Sequence, residues 1–373
     1  DIAAAATMPL SIVLADAAGN ESAAFTTAPV ANNTPTIDGN SPAISLAAYS
    51  PTSGSLGVGD VITLTITAGE TGLSASSATV NTVDVASTLV DNADNTYTFT
   101  YTIAENNTTI LDSQTIPLSV VLSDAAGNTN TAYTTAPLAA NTPAIDAILA
   151  TITSVTFSPT SGILAIGSEL TATITASETG LAAVTLEING VDVSGTYSEL
   201  GGSLYQVIYT VSTNDNDIDD AATIPVSVIL EDASGNPTLE YTTSPLAGVS
   251  PGIDAHVPVI ASVQFSPTSG YLIVGDDLLL NVNADGTSYS IGTISINGKS
   301  ITSITDNGDN TYTTTYTIAE GDNDIAAAAT VPISVTLLDA AGNESAAFIT
   351  SPTSGTTPTI DANSPVVSLA AYS

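Results

Sequence analysis

A five-residue turn sequence recurs at a fixed period, and this repetition constrains the fold more than any other feature of the chain. Its four copies begin at Asp16, Asp124, Asp232 and Asp339, and they read Asp-Ala-Ala-Gly-Asn with Ser replacing the second Ala in the third copy. Successive aspartates are 108, 108 and 107 residues apart. A period of this length predicts an array of similar modules, each large enough to bury its own core.

The period divides the 373 residues into whole modules and fragments. Residues 41–148, 149–256 and 257–363 are predicted to be whole domains. Residues 1–40 match the C-terminal half of a module, and residues 364–373 match the first strand of another. Both ends of the sequence fall inside a module, which we interpret as a section of a longer array.

Apolar and polar residues alternate within each module. The clearest stretch is 61–68, where Ile62, Leu64 and Ile66 are separated by threonines. Alternation with period two predicts strands that bury one face. Similar stretches occur at 97–103, 116–122, 169–176, 205–211 and 277–284.

A final threonine-rich strand is predicted after each signature turn, for example at 129–138. About seven short strands per module, without an amphipathic helix, are typical of an immunoglobulin-like sandwich. A closed barrel is the alternative. The fold class is therefore predicted to be all-β, with tandem immunoglobulin-like β-sandwich domains. Each module ends in Pro-x-Ile-Asp, a stiffer linker than a Gly/Ser chain, which predicts an extended rod.

The charge of the chain excludes two classes of partner. There are 37 acidic residues and a single basic one, Lys299, so the formal charge is −36. Nucleic acid and anionic membrane surfaces would be repelled. No apolar run approaches the roughly 20 residues of a membrane span, so no membrane insertion is predicted. Cations are the natural partners of such a chain.

The immunoglobulin-like strand order places the B–C and F–G loops at the end of a module where the preceding linker arrives. Carboxylates without a basic partner repel one another there, and a hard cation such as calcium, which takes six to eight oxygen ligands, would relieve the repulsion. We therefore predict inter-domain Ca²⁺. The candidate ligands are Asp38, Asp146 and Asp254 from the linkers, Asp124, Asp232 and Asp339 from the F–G loops, and Glu70, Glu178 and Asp285 from the B–C loops.

A structural alternative exists for the F–G aspartates, because an aspartate followed by Ala-Gly-Asn can cap its own turn. At the opposite pole, further acids occupy the A–B and E–F loops, and we interpret them as solvated loop residues whose role in metal binding is open. They are Asp60, Glu169, Asp215, Asp217, Asp276, Asp322 and Asp324.

Catalysis has little support in the sequence. The chain has one histidine, His256, in a linker, and no cysteine. A Ser–His–Asp set therefore cannot recur from module to module. We predict that the chain is not an enzyme.

Four segments carry a resemblance to a known family. They are Gly59–Ala68, Asp94–Thr98, Pro117–Asn128 and Pro143–Ala147 with their counterparts in the other modules. Together they resemble the bacterial Ig-like repeats of very large secreted surface proteins, including calcium-binding adhesins. The resemblance implies an extracellular, cell-surface chain that binds calcium between domains.

The function expected from these features is structural, as a calcium-stiffened stalk or filament shaft. Other copies of the chain in a fibre are a further expected partner. The alternative is an adhesin region that binds glycans or other cells through exposed loops.

Overall fold

A computed structural model describes residues 1–2, 7–28, 35–245, 248–352, 356–367 and 369. The described part contains strands, turns and three 3₁₀ turns, at Ala86–Thr88, Ala139–Asn141 and Ser194–Thr196. None of its helical segments is long and apolar enough to span a membrane. The chain divides into two compact units, one of residues 1–151, 180–182 and 230–238 and the other of residues 152–179, 183–229 and 239–373. The predicted domain boundaries stay predictions.

The first unit contains a four-stranded sheet in the order β1-β3-β7-β6 and a three-stranded sheet in the order β5-β4-β8, while β2 pairs in parallel with β9. This is the A-B-E-D and C′-C-F strand order of an immunoglobulin-like sandwich. The strands are β1 Ile44–Ser50, β2 Ser55–Leu56, β3 Val61–Ala68, β4 Ser74–Val80, β5 Val83–Asp84, β6 Val90–Asp91, β7 Thr96–Thr102, β8 Leu118–Ser123 and β9 Ala144–Ile145.

The second unit repeats this arrangement twice, although Ala182, Leu230 and Glu231 of these strands belong to the first unit. Its larger sheets have the orders β10-β12-β16-β15 and β19-β21-β25-β24, its smaller ones β14-β13-β17 and β23-β22-β26, and the pairs β11-β18 and β20-β27 are parallel. The strands are β10 Ile152–Ser158, β11 Ile163–Leu164, β12 Glu169–Ala176, β13 Ala182–Ile188, β14 Val191–Asp192, β15 Ser198–Gly201, β16 Leu204–Thr210, β17 Val226–Glu231, β18 Gly252–Ile253, β19 Ile260–Ser266, β20 Tyr271–Ile273, β21 Asp277–Ala284, β22 Ser290–Ile296, β23 Lys299–Ile301, β24 Thr305–Asp306, β25 Thr311–Thr317, β26 Ile333–Leu338 and β27 Thr359–Asp361.

The predicted alternation is confirmed in the strands that form the cores. In β3 the side chains of Ile62, Leu64 and Ile66 are buried, and the threonines between them are partly exposed. The neighbouring strand β7 buries Tyr97 and Tyr101 on the same side. Because successive side chains of a strand point to opposite faces, each of these strands supplies one face to the interior. The all-β, tandem immunoglobulin-like fold is thus confirmed.

The predicted strand at 129–138 is wrong. This segment makes only the isolated bridges Ser123↔Thr129 and Val120↔Tyr133. The side chain of Asn130 occupies ladder positions, since its Oδ1 accepts from the Leu122 N–H at 2.6 Å and its Nδ2 donates to the Val120 carbonyl at 3.1 Å. A side chain that takes over backbone partners interrupts a regular ladder.

The strand predicted at 364–373 is only partly described. Residues 364–367 and 369 have no strand assignment. Residue 368 and residues 370–373 lie outside the described part, so this assignment stays a prediction. The first residue of the predicted linker motif at 34–38, Thr34, also lies outside it. In the described part of 1–40, strand pairing consists of isolated bridges such as Ile12↔Phe25.

Candidate cation sites in the linkers and loops

The aspartate of the signature turn closes its own loop. Asp124 Oδ1 accepts hydrogen bonds from the N–H groups of Ala126 and Asn128, both at 2.9 Å, and its Oδ2 accepts from Asn128 Nδ2 at 2.8 Å. The hydrogen bond from the Asn128 side chain, together with the backbone donors, holds the pKa of Asp124 below its ordinary value. In all four copies the asparagine donates to both oxygens of its aspartate, as described for Asp124 and repeated at Asp16, Asp232 and Asp339. The capping alternative accounts for these contacts.

The asparagine of the turn makes the longer-range contacts. Asn236 is fully buried, and its Nδ2 donates to the Asp146 carbonyl at 3.1 Å while its Oδ1 accepts from the Val58 N–H at 2.5 Å. Beside it, the hydroxyls of Ser55 and Ser234 are 2.7 Å apart. All these residues belong to the first unit. We call this arrangement, in which one asparagine bridges a linker carbonyl and an A–B loop N–H, the asparagine clasp.

A second clasp lies within the second unit. Asn343 Nδ2 donates to the Asp254 carbonyl at 3.0 Å, and its Oδ1 accepts from the Ile166 N–H at 2.8 Å. Of the two contacts that define a clasp, Asn128 makes only the linker contact among the described residues. Its Nδ2 donates to the Asp38 carbonyl at 3.1 Å. The F–G loop and the preceding linker therefore meet, as predicted. The contact is made by an asparagine and a backbone carbonyl, which the sequence analysis did not single out.

The linker aspartates also cap local turns. Asp38, Asp146 and Asp254 each accept, through Oδ1, from the N–H two residues further on, at 3.1–3.3 Å. This local role was not recognised in the sequence. In sequence terms its signal is weak, because an Asx turn needs no special following residue.

The B–C loop acids fall into two kinds. Glu70 and Glu178 accept from Tyr97 and Tyr205 through their backbone carbonyls. Asp285 uses its carboxylate, whose Oδ1 accepts from the Val259 N–H at 2.9 Å and from the Tyr289 hydroxyl at 3.0 Å.

In the part of the chain that the structure describes, one group of three His, Asp or Glu side chains has ligand atoms within 4.8 Å of one another. It consists of Asp217, Asp254 and His256, so it contains one of the nine predicted ligands. His256 Nδ1 lies 2.8 Å from Asp217 Oδ2, and Asp217 Oδ1 accepts from the Ala255 N–H at 2.8 Å. The structure thus brings an E–F loop acid to the linker.

Two residues of this group, Asp254 and His256, have raised pKa values. Partial burial raises the pKa of Asp254, and the nearby charges of Asp339 and Asp217 raise it further, although the His256 N–H and ring act in the opposite direction. The hydrogen bond and charge of Asp217 raise the pKa of His256. A surface pocket of about 220 Å³ adjoins the group, and four acids line it together with Ile163, Ile218 and Ile253, namely Asp217, Asp219, Asp220 and Asp254.

Other acids of the A–B and E–F loops are structural. Asp215 Oδ2 accepts from the Tyr209 hydroxyl at 2.7 Å and the Ser212 N–H at 2.8 Å. Asn107 replaces it in the first module and accepts the same two bonds, so no negative charge is needed. Asp60 and Asp276 each accept from the N–H three residues earlier. Asp324 accepts from Ala362 N–H at 2.8 Å.

Asp322 occupies the same position as Asp215 but has an additional partner. Its Oδ2 accepts from the Tyr316 hydroxyl at 2.7 Å, and its Oδ1 lies 2.8 Å from Lys299 Nζ. Lys299, followed by Tyr316 and the Ala319 N–H, lowers the pKa of Asp322 to about 2. The only lysine of the chain thus neutralises a buried carboxylate, and it is not located at a linker.

No protein-family model matches the sequence, and no curated protein matches it. Several solved tandems of immunoglobulin domains are similar to it. The I9–I11 tandem of titin is 12% identical with a TM-score of 0.29, covering 86% of this chain and 98% of that chain. The eight N-terminal Ig domains of DSCAM are 12% identical with a TM-score of 0.28, covering 83% and 41%. The D1–D4 fragment of ICAM-5 is 13% identical with a TM-score of 0.27, covering 83% and 75%. At these values the fold assignment rests on the chain's own strand order.

Proposed function

We propose that this chain is a structural element, a tandem array of immunoglobulin-like modules that forms an extracellular stalk or filament shaft on a bacterial surface, stiffened at its junctions by calcium. The observation that carries the proposal is the asparagine clasp, which occurs at Asn236 and again at Asn343. The extracellular, bacterial setting comes from the sequence resemblance. The proposal assigns no enzymatic activity.

The clasps support a mechanical role because their hydrogen bonds hold the linker backbone in place. The linkers of a flexible tether would have no such contacts. Each clasp satisfies a carbonyl and an N–H with one buried or nearly buried side chain. Each such hydrogen bond contributes roughly 0.5–1.5 kcal/mol, and leaving a buried partner unpaired costs about 1–3 kcal/mol. The Pro-x-Ile-Asp linkers restrict the backbone further. Together these features favour a fixed angle at the two linkers that carry a clasp.

Calcium is the second component of the proposal. The chain carries a formal charge of −36 and one lysine, and that lysine is bound to Asp322. The linker acids thus lack a lysine or arginine partner, and partial burial, followed by the charge of Asp339, raises the pKa of Asp254. Oxygen ligands and excess negative charge suit Ca²⁺. We propose that Ca²⁺ bound by linker and loop carboxylates reduces their repulsion.

Small-angle scattering of the whole chain tests both components. In millimolar calcium, Asn236→Ala combined with Asn343→Ala should shorten the maximum dimension and broaden the distance distribution. Chelation of the wild type should act in the same direction, and Asp146→Asn should reduce the response to calcium. Asn92→Ala, in an exposed turn where Asn92 contacts Thr96, is the matched control. Scattering curves that coincide for the wild type, the double variant and the chelated sample would contradict the proposal.

A second candidate function is an adhesin region, favoured by one observation. An open groove of about 490 Å³ lies between the start of β1 and the segment after the signature turn. It is lined by Ser41, Pro42, Ala43, Ile44 and residues 129–135, which include hydroxyl and amide groups and no charge. Such a surface suits a neutral glycan. Binding of the chain to a glycan array, abolished by Thr131→Trp in the groove, would favour this candidate over the purely structural one.

A further inference from the structure

The only imidazole of the chain, that of His256, lies close to the carboxylates of Asp217 and Asp254. We propose that Asp217, Asp254 and His256 bind a first-row transition-metal ion such as Zn²⁺. This inference goes beyond the proposed function and does not rest on it, because calcium would act through carboxylate and carbonyl oxygens at every junction. The imidazole occurs at one linker only.

The donor atoms are placed for chelation. His256 Nδ1 and Asp217 Oδ2 are 2.8 Å apart, which suits two ligands of one ion whose bonds to nitrogen and oxygen are about 2.0–2.2 Å long. A carboxylate oxygen of Asp254 lies within 4.8 Å of a ligand atom of each of these two residues. The ion would replace the hydrogen bond between Nδ1 and Oδ2, and water would complete its coordination.

The ligand types select the class of metal. Imidazole nitrogen is a good ligand for zinc, copper and nickel, whereas calcium and magnesium prefer oxygen. Two carboxylates and one neutral imidazole balance the charge of a divalent ion. Asp219 and Asp220 line the adjoining pocket and add negative potential that attracts a cation.

The ligands are held in place by the fold itself. Asp217 is fixed to the linker by the N–H of Ala255, at 2.8 Å from Oδ1. Gly252 lets the linker approach the E–F loop, since a Cβ there would lie 2.9 Å from Asp220 N and from the Ile218 carbonyl oxygen. The bridge Ile218↔Ile253 holds the same contact, and the parallel pair β11-β18 fixes the other side of the linker to the A–B region. The site therefore needs little rearrangement to bind.

The chain supplies its own control at the next linker. There Asp324 accepts from the Ala362 N–H at 2.8 Å and from Asn363 Nδ2 at 2.9 Å. Asn363 thus occupies the position of His256 and keeps a hydrogen bond to the E–F loop acid, but it offers no imidazole. His256→Asn therefore gives this linker the residue found at the next one. The new asparagine should keep a hydrogen bond to Asp217, as Asn363 does to Asp324.

Zinc titration of the whole chain in calcium-free buffer, so that no Ca²⁺ competes for Asp254, tests the proposal. The wild type should bind one Zn²⁺ roughly tenfold or more tightly than His256→Asn or Asp217→Asn. Because the chain has one histidine, its ring NMR signals report directly on the site and should shift with zinc. Circular dichroism should show both variants folded. Equal zinc affinity in His256→Asn, or ring signals that do not respond to zinc, would overturn the assignment.

Discussion

Asn236 and Asp146 lie 90 residues apart in the chain, and the Asn236 side chain donates a 3.1 Å hydrogen bond to the Asp146 carbonyl. The same side chain accepts from the Val58 N–H at 2.5 Å. One buried amide therefore connects a turn, a linker and an A–B loop. Its donor and acceptor halves serve different partners.

Asn236→Ala should increase hydrogen exchange at the Val58 N–H by roughly tenfold to a hundredfold. The variant leaves that N–H and the Asp146 carbonyl without their partner, and an unmade buried hydrogen bond costs about 1–3 kcal/mol of local stability. Asn236→Asp keeps an acceptor oxygen but faces the Asp232 carboxylate, whose Oδ2 now accepts from Asn236 Nδ2 at 2.8 Å, so like-charge repulsion should leave Val58 less protected than in the wild type. Equal exchange at Val58 in wild type and Asn236→Ala would contradict this account.

Asn128→Ala should raise the pKa of Asp124 towards its ordinary value of 3.8. The Asn128 side chain is the largest cause of the lowered pKa, and it stabilises the ionised carboxylate. Carbon-detected NMR titration of the carboxyl groups measures the change. Asp94 is the internal control, because its pKa is lowered by its own partner Thr96. A shift at Asp94 as large as that at Asp124 would indicate a general effect of the substitution.

The strands were predictable and the clasps were not, for a physical reason. Alternation at Ile62, Leu64 and Ile66 reflects a local property of the pleated backbone, so a short stretch of sequence contains it. The partners of Asn236 depend on which loops the fold brings together across 90 residues. The same limit affected 129–138, where the strand pattern is present but the Asn130 side chain takes the ladder bonds.

The acidic residues illustrate the same limit in the candidate sites. Grouping the acidic residues by the loop that carries them correctly predicted that the F–G turn lies next to the linker. It did not reveal that Asp124 and Asp146 accept hydrogen bonds from nearby N–H groups. Nor did it place Asp217 beside Asp254 and His256, because that contact depends on the bridge Ile218↔Ile253 between the E–F loop and the linker. A repeated Asn at the end of all four turns was the available signal for the clasp.

Asn189→Ala should destabilise its module by about 2–3 kcal/mol. Asn189 is buried, with Nδ2 donating to the Asn216 carbonyl at 2.8 Å and to the Tyr209 hydroxyl at 3.3 Å, and its φ is 55°. The variant loses these bonds and places Ala in a left-handed conformation, which costs roughly 1–2 kcal/mol by itself. Denaturant unfolding followed by tyrosine fluorescence measures the loss.

Asn214→Ala separates the two contributions. Asn214 also has a positive φ, 69°, but its side chain is exposed. This variant should therefore show only the backbone part of the loss. If both variants were destabilised equally, the buried hydrogen bonds of Asn189 would contribute nothing.

Lys299→Met should make the second unit more sensitive to acid. Lys299 is the first cause of the low pKa of Asp322, which is about 2 in the folded chain, whereas an unfolded aspartate has a pKa near 3.9. A lowered pKa in the folded state means that the stabilisation is fully present above about pH 4 and is lost as the pH falls through about 2. Without the ammonium group, the pKa of Asp322 rises and the acid transition moves to higher pH. Thermal unfolding between pH 2 and 5, compared with Asp309→Asn in an exposed turn, measures this shift. An unchanged acid midpoint in Lys299→Met would show that the Tyr316 hydroxyl and the Ala319 N–H suffice to stabilise the carboxylate of Asp322.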